Sequence, residues 1–346
     1  MTRAPACDGP RWRAPGRRPT SRALVLVTGA VVAAVACGCT GPAATTVAAG
    51  GTWSAPVAVE PGAGSPSATG LYGVSCATGT SCVAVDANGA ATTFLGDRWS
   101  PPRQLQAGGT LNSVSCPTVT FCVATSASRA VAFDGTTWST GVTVGPAPTG
   151  PVAPETLVSC TSPTFCMAVG SAGAAATFDG RSWSPPVPSE TVGGTQAVLG
   201  LSCAGPTWCV AVGTTGRIAT FDGRSWSTTP APVAGPLKSV SCPAQASCTA
   251  VGLDGAVVTS HGNRWTARPS VPGSPALVYS VSCPTTTFCV AARSDGTAVT
   301  WQDGVWAAPV PVLRGGTVAA ASVSCASATF CALVDAGGYA ATYRGA

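Results

Sequence analysis

A pair of cysteines with five residues between them occurs seven times in this 346-residue chain. The pairs are Cys76 with Cys82, Cys116 with Cys122, Cys160 with Cys166, Cys203 with Cys209, Cys242 with Cys248, Cys283 with Cys289, and Cys325 with Cys331. Each sits in one phrase, close to V-S-C-P-T-x-x-F-C-V-A-V-G-x-x-G-x-A-x-T-F-D-G-x-x-W-S. Successive first cysteines lie 40, 44, 43, 39, 41 and 42 residues apart. Self-similarity at that period marks a repeat architecture, in which each unit buries its apolar faces only against its neighbours.

One repeat contains four short apolar or alternating runs separated by turn residues. In the third repeat they are 157–160, 165–169, 174–178 and 182–187. The joining segments are Thr161–Thr164, Gly170–Gly173 and Asp179-Gly180, and Asp-Gly predicts a two-residue hairpin turn with positive φ at both residues. Four antiparallel strands in about 42 residues make a propeller blade. A tryptophan opens the fourth run at Trp99, Trp138, Trp183, Trp226, Trp265 and Trp306, but the last repeat has none. A spare run, Thr52 to Val57 with Trp53, stands before the first repeat. The expected fold is therefore all-β: a seven-bladed β-propeller of four-stranded antiparallel blades over 51–346, closed by an N-terminal strand that completes the last blade and leaves no open edge there.

Residues six apart face each other across a hairpin, at a separation that a disulfide spans. Seven scattered pairs do not assemble the four ligands of a zinc site, so the fourteen repeat cysteines are expected to pair within their own repeats. Closing so small a loop stabilises by about 2 kcal/mol on the chain-entropy account. Such bridges require an oxidising compartment.

The N-terminus agrees. Arg3, Arg11, Arg13, Arg17, Arg18 and Arg22 precede an apolar run from Ala23 to Ala36, which ends in Cys37-Gly38-Cys39. A basic flank, a short apolar centre and a small-residue exit describe a secretory signal, too short for a membrane-spanning helix. Cysteine after small residues resembles the bacterial lipobox, with Cys37 or Cys39 as the lipidated residue and a membrane partner through that anchor. An ordinary cleaved signal or an uncleaved anchor stays open, and Arg17-Arg18 resembles a twin-arginine signal. The expected organisation is a signal over 1–39, a linker over 40–50 and the propeller beyond. The formal charge of +5 resides in the same segment: past residue 22 remain 12 of the 18 basic and 12 of the 13 acidic residues. A balanced chain lacks the basic face that would displace counterions from phosphates, so no nucleic-acid partner is expected.

At A-V-G-x-x-G-x-A-x-T-F-D-G-x-x-W the chain resembles the Asp-box propellers, among them the bacterial neuraminidase repeats of sialidases and the photosystem II assembly-factor family. The matching positions are Asp134-Gly135 with Trp138, Asp179-Gly180 with Trp183, and Asp222-Gly223 with Trp226. The resemblance implies a propeller in which these boxes are structural turns. The chain departs from that pattern in an Asp-to-Trp spacing one residue shorter, in the cysteine pairs, and in four repeats that lack Phe-Asp-Gly: Leu95-Gly96-Asp97, Ser260-His261-Gly262, Gln302-Asp303-Gly304 and Tyr343-Arg344-Gly345.

With the first strand innermost, the second-to-third and fourth-to-first connections share one face of the disc. They vary most, with 16 to 23 residues from a tryptophan to the next first cysteine, and variable loops on a rigid scaffold are where binding resides. That face is expected to present Asp86, Asn88, Arg129, Arg217, Asp254, Arg293, Asp295 and Asp335. The leading ends of the inner strands add Tyr72, Asn112, Lys238 and Tyr279 near the channel mouth. Exposed polar loops also need no function to explain them.

Catalysis has little to stand on. A glycosidase needs paired carboxylates, and beyond the signal there are three glutamates, Glu60, Glu155 and Glu190, all in variable connections. The one histidine, His261, falls in a turn, so no Ser-His-Asp arrangement is expected. Trp208 and Trp301 depart from the repeat consensus and read as packing residues. No cofactor, metal or catalytic residue is assigned. The chain reads as an exported, lipid-anchored, monomeric binding or scaffolding module at the cell surface, with a protein or a glycan as partner. The alternatives are a sialidase-like glycan-active enzyme on the variable-loop face and a lectin with repeated shallow sites between blades.

Overall fold

The computed structural model describes residues 50–64, 70–105, 107, 109–145, 155–187, 197–262, 264–273, 275–313 and 321–345. The expected signal segment, both candidate lipidation cysteines (Cys37 and Cys39), almost all of the expected linker, and Glu190 lie outside them. The described residues form seven antiparallel sheets with no α-helix. The seven innermost strands are Leu71–Thr78, Ser113–Thr118, Thr156–Ser162, Val198–Gly205, Leu237–Ala244, Val278–Ser282 and Ala321–Ser327. Each contacts the inner strands of the two neighbouring sheets, and the contacts close from the seventh back to the first. This is a seven-bladed β-propeller.

Blade four shows the unit in full: Val198–Gly205, Trp208–Gly213, Arg217–Phe221 and Trp226–Pro230 pair in chain order. Second strands are buried over nearly their whole length; in Phe165–Gly170 the central Cys-Met-Ala-Val is inaccessible on both sides. Both faces of a blade are covered by other blades, so the second strand reads as a continuous apolar run. In blade three the fourth strand is reduced to two bridges, Phe178 to Trp183 and Ala175 to Val187.

Ring closure follows the expectation. Thr52–Trp53 pairs with Tyr339–Arg344, aligning Trp53 with Tyr343, and Val57–Ala58 continues the pairing at Ala340 and Tyr339. The equivalent pairs elsewhere are Phe94 with Trp99, Phe133 with Trp138, Phe178 with Trp183, Phe221 with Trp226, Ser260 with Trp265, and Trp301 with Trp306. The serine after the tryptophan brackets the junction: Ser54 donates its N–H to the Thr342 carbonyl while its Oγ accepts from the Thr342 N–H. Ser100, Ser139 and Ser184 repeat both bonds in blades one to three. The N-terminal segment thus supplies what every other blade obtains from its own fourth strand.

All seven disulfides form as expected, one in each blade. They join Cys76 to Cys82, Cys116 to Cys122, Cys160 to Cys166 and Cys203 to Cys209 in blades one to four. Blades five to seven carry Cys242 to Cys248, Cys283 to Cys289 and Cys325 to Cys331. The Cα–Cα distances are 3.9 to 4.1 Å. Cys82, Cys122, Cys166, Cys209, Cys248, Cys289 and Cys331 all lie on the buried second strands, so each bridge ties the inner strand to the blade interior.

The serine before each first cysteine has a separate task. An inner-edge N–H has no ladder partner in its own blade, and a buried one must find an acceptor. Ser75 Oγ accepts from Cys116 N–H, Ser115 from Cys160, Ser159 from Cys203, Ser202 from Cys242, Ser241 from Cys283, Ser282 from Cys325, and Ser324 from Cys76. Every bond is 2.9 or 3.0 Å long, and together they form a closed girdle that stitches each blade to the next. The Val-Ser-Cys of the repeat is therefore half intrablade bridge and half interblade clasp.

The apolar core is likewise divided among the seven seams, with one cluster at each. At a seam, the residue before the second cysteine of one blade meets the aromatic third-strand residue of the next. Phe330 lies 5.9 Å from Phe94, Phe121 stacks at 6.0 Å on Phe178, and Phe288 lies 6.0 Å from Tyr343. By the same repeat correspondence Trp208 of blade four, which packs in its seam cluster, falls opposite the Ser260 position of blade five, and Ser247 of blade five opposite Trp301 of blade six. At the seam of blades four and five the larger residue thus falls opposite a smaller one, which keeps the volume there roughly constant, whereas at the seam of blades five and six Ser247 and Trp301 line a cleft.

One expected detail is corrected. In blades two to four the turn is centred one residue later than Asp-Gly, because Asp134, Asp179 and Asp222 pair through their backbone N–H groups with the carbonyls of Thr137, Ser182 and Ser225. Positive φ falls on Gly135, Gly180 and Gly223 alone. The aspartate Oδ1 instead accepts from two turn N–H groups, those of Arg181 and Ser182 for Asp179 and of Arg224 and Ser225 for Asp222. Asp134 does the same with Thr136 and Thr137, and hydrogen bonding holds all three carboxyls below the usual range. Only blade six has a centred Asp-Gly, with Asp303 and Gly304 both at positive φ.

Candidate functional site

The central channel, about 830 Å³, is lined by residues from all seven inner strands. Its mouth is shaped by an irregularity that recurs at the leading ends of these strands. The pairing register slips between Leu71 and Gly73, Val198 and Gly200, Leu237 and Ser239, and Val278 and Ser280. The skipped residues are Tyr72, Leu199, Lys238 and Tyr279, and all four line the channel. A bulge releases one residue from the ladder and re-aims its side chain. The residue before each is buried (Leu71, Val198, Leu237 and Val278), so the bulge alternates a core anchor with a channel-facing group.

Asn112 reaches the same mouth just ahead of its strand. In blade three the strand runs on without that slip, Thr156 opposite Gly170 and Leu157 opposite Val169. Thr156 takes the buried place and Glu155, in the slot where five of the other repeats carry leucine or valine, is left exposed at the channel. Read as part of a variable connection, Glu155 gives no hint of this place; a carboxylate aligned with buried aliphatic residues is the signal for it. The mouth therefore gathers two tyrosines, a leucine, an asparagine, one cation and one anion. Tyr72 is 43% exposed. Among the described residues, neither Lys238 nor Glu155 belongs to an ion pair.

The remaining expected binding residues do not line this mouth. Arg129 donates to the Gly141 carbonyl, and Arg217 to Thr228 Oγ1 at 2.8 Å, each within its own blade. Arg293 lies beneath the surface, 3% exposed, with its guanidinium 3.5 Å from Asp295 and 3.1 Å from Thr297 Oγ1. A Cβ on Gly273 would collide with its guanidinium, so this arginine is packed under the connection from blade five to blade six. Asp295, Asp254, Asp86 and Asp335 each accept backbone N–H bonds inside their own turns, Asp86 from Asn88 and Ala90, Asp335 from Gly337 and Tyr339.

One carboxylate stands apart. Glu60 follows the closing strand and is 5% exposed, with Oε1 lacking any partner among the described residues. Burial, and secondarily the charge of Asp86, pushes its pKa up to about 7. Asp86 is itself raised by burial. Both carboxyls are shut away from solvent at the seam of blades seven and one, and the described residues contain no metal-ligating cluster.

No protein-family profile and no curated protein matches the sequence. Solved structures do match in fold. YCF48 bound to D1 peptide is 15% identical with a TM-score of 0.64, over 85% of this chain and 97% of that one. The WD40 β-propeller domain of Doa1 is 13% identical at 0.67, over 85% and 97%. YCF48 from Cyanidioschyzon merolae is 13% identical at 0.61, over 84% and 99%. Likeness at these identities is likeness of fold, and function has to be argued from the site.

Proposed function

We propose that this chain is an exported, non-catalytic binding module, anchored by lipid at Cys37 or Cys39, whose channel mouth takes a polypeptide segment of a partner at the cell surface. The observation that carries the reading is the set of bulges that turn Tyr72, Lys238 and Tyr279 into the mouth beside Asn112 and Glu155. Tyrosine offers a large, rigid, amphipathic contact at small entropic cost, and one opposed charge pair orients a peptide without selecting a highly charged one. The seven disulfides support an oxidising compartment. A likeness in fold to a structure that carries a bound peptide adds support of an associational kind. The hydrolase reading has less behind it, because Glu60 and Asp86, two carboxylates that interact electrostatically, are both buried.

A photo-cross-linking residue at Tyr279 is expected to capture one polypeptide from the intact cell envelope, whereas one at exposed Val305 on the opposite face captures none. Equal capture at both positions, or none at Tyr279, removes the proposal. Metabolic labelling with palmitate, lost on Cys37→Ala or Cys39→Ala, tests the anchor separately.

A further inference from the structure

The seam between blades five and six differs from its neighbours. Most seams fill the space beside the third-strand aromatic with a phenylalanine or tryptophan of the preceding blade, but blade five supplies Ser247 there. The result is a cleft of about 530 Å³ that has Trp301 and Trp306 on one wall. Ser81 occupies the corresponding place in blade one; at both seams the third-strand aromatic and its tryptophan partner pack against the seam cluster, Phe133 with Trp138 and Trp301 with Trp306, and at the seam of blades five and six the latter two also line the cleft. Across the cleft, Arg268 is exposed and steadied by a 2.8 Å bond from Nε to Thr259 Oγ1. Its terminal nitrogens have no hydrogen bond or ion pair among the described residues. Asp303 stands exposed at the rim, held in its turn at a φ of 50°.

We propose that this cleft binds a neutral carbohydrate, about one or two sugar rings in extent. Its volume falls in the range of small-ligand sites, roughly 300 to 1,000 Å³. Trp301 and Trp306 line the cleft while packing against the seam cluster, and an indole surface matches the C–H face of a pyranose. The polar lining is dominated by hydroxyl groups, each both donor and acceptor, with the His261 imidazole, a guanidinium that only donates and a carboxylate that only accepts. A polyol satisfies that mixture, and the cancelling charges of Arg268 and Asp303 favour a ligand without net charge. The cleft lies at the seam of blades five and six, away from the channel lining, and it does not depend on the channel-mouth reading.

The test is a glycan microarray probed with the full disulfide-bonded chain, followed by titration with the retained free sugar and tryptophan fluorescence as readout. Retention of neutral glycans is expected. Ser247→Phe, which restores the aromatic used at other seams, should weaken binding at least about tenfold while melting no lower than wild type. If that variant folds poorly, Arg268→Ala removes an exposed side chain and should weaken binding in the same direction. Lys238→Ala, at the channel mouth, should leave sugar binding unchanged. No retained glycan, retention of anionic glycans only, or binding unaffected by both cleft variants overturns the assignment.

Discussion

Glu60 makes stability depend on pH in a direction opposite to that of most carboxylates, and Glu60→Gln isolates the effect. The side chain is buried with one unpartnered oxygen, and its pKa moves from 4.5 to about 7 on folding. Between those values the folded chain keeps a proton that the unfolded chain has released. Stability therefore falls as pH rises through this window, and above about 7 the buried charge carries its full penalty. The displacement corresponds to about 3 kcal/mol. Glutamine keeps the shape and is neutral throughout. Below pH 4.5 the two proteins should melt together. At pH 8 the variant should be more stable by about 3 kcal/mol, or about 5 °C or more in midpoint for a domain of this size. Asp86 is raised by its own burial in both proteins, so its contribution largely cancels in the difference. Calorimetry without reductant from about pH 4 to about pH 9 gives the comparison. A gap that stays constant with pH, or a wild type more stable at pH 8, refutes the argument.

Other consequences are simpler to read. Ser115→Ala strips the acceptor from Cys160 N–H at the seam of blades two and three, and should cost about 1 to 3 kcal/mol by urea titration. Because the repeat correspondence puts Trp208 opposite the Ser260 position, Ser260→Phe alone should overpack the seam and strip the acceptor from Cys248 N–H, and Trp208→Phe alone should leave a void. The double variant should recover at least about 0.5 kcal/mol relative to the sum of the two, and strict additivity would remove the size-compensation account. Replacing both Cys242 and Cys248 by serine should lower stability by about 2 kcal/mol on the loop-entropy account, and alkylation of the unreduced wild type should leave the repeat cysteines unlabelled in intact mass.

Repeat number, strand count, cysteine pairing and the closing role of Trp53 were all legible in the chain, because each follows from periodicity, turn chemistry and pairing within about 42 residues. The turn register in blades two to four was not, since a side chain that caps its own turn competes with the backbone preference of Asp-Gly. Tyr72, Lys238 and Tyr279 were placed near the channel from their position alone; the bulges that aim them there depend on how seven strands pack around one axis.

The repeated serine ahead of each cysteine is visible to anyone reading the sequence, yet its partner lies 40 or more residues away in the next blade. Local pattern determined that there would be seven like blades, joined end to end by a borrowed strand. Only the assembled ring decided which N–H each serine caps, which seam Ser247 leaves open and where Glu60 loses its water. Those outcomes belong to surfaces created between blades, and a surface between two units has no representation in the sequence of either one.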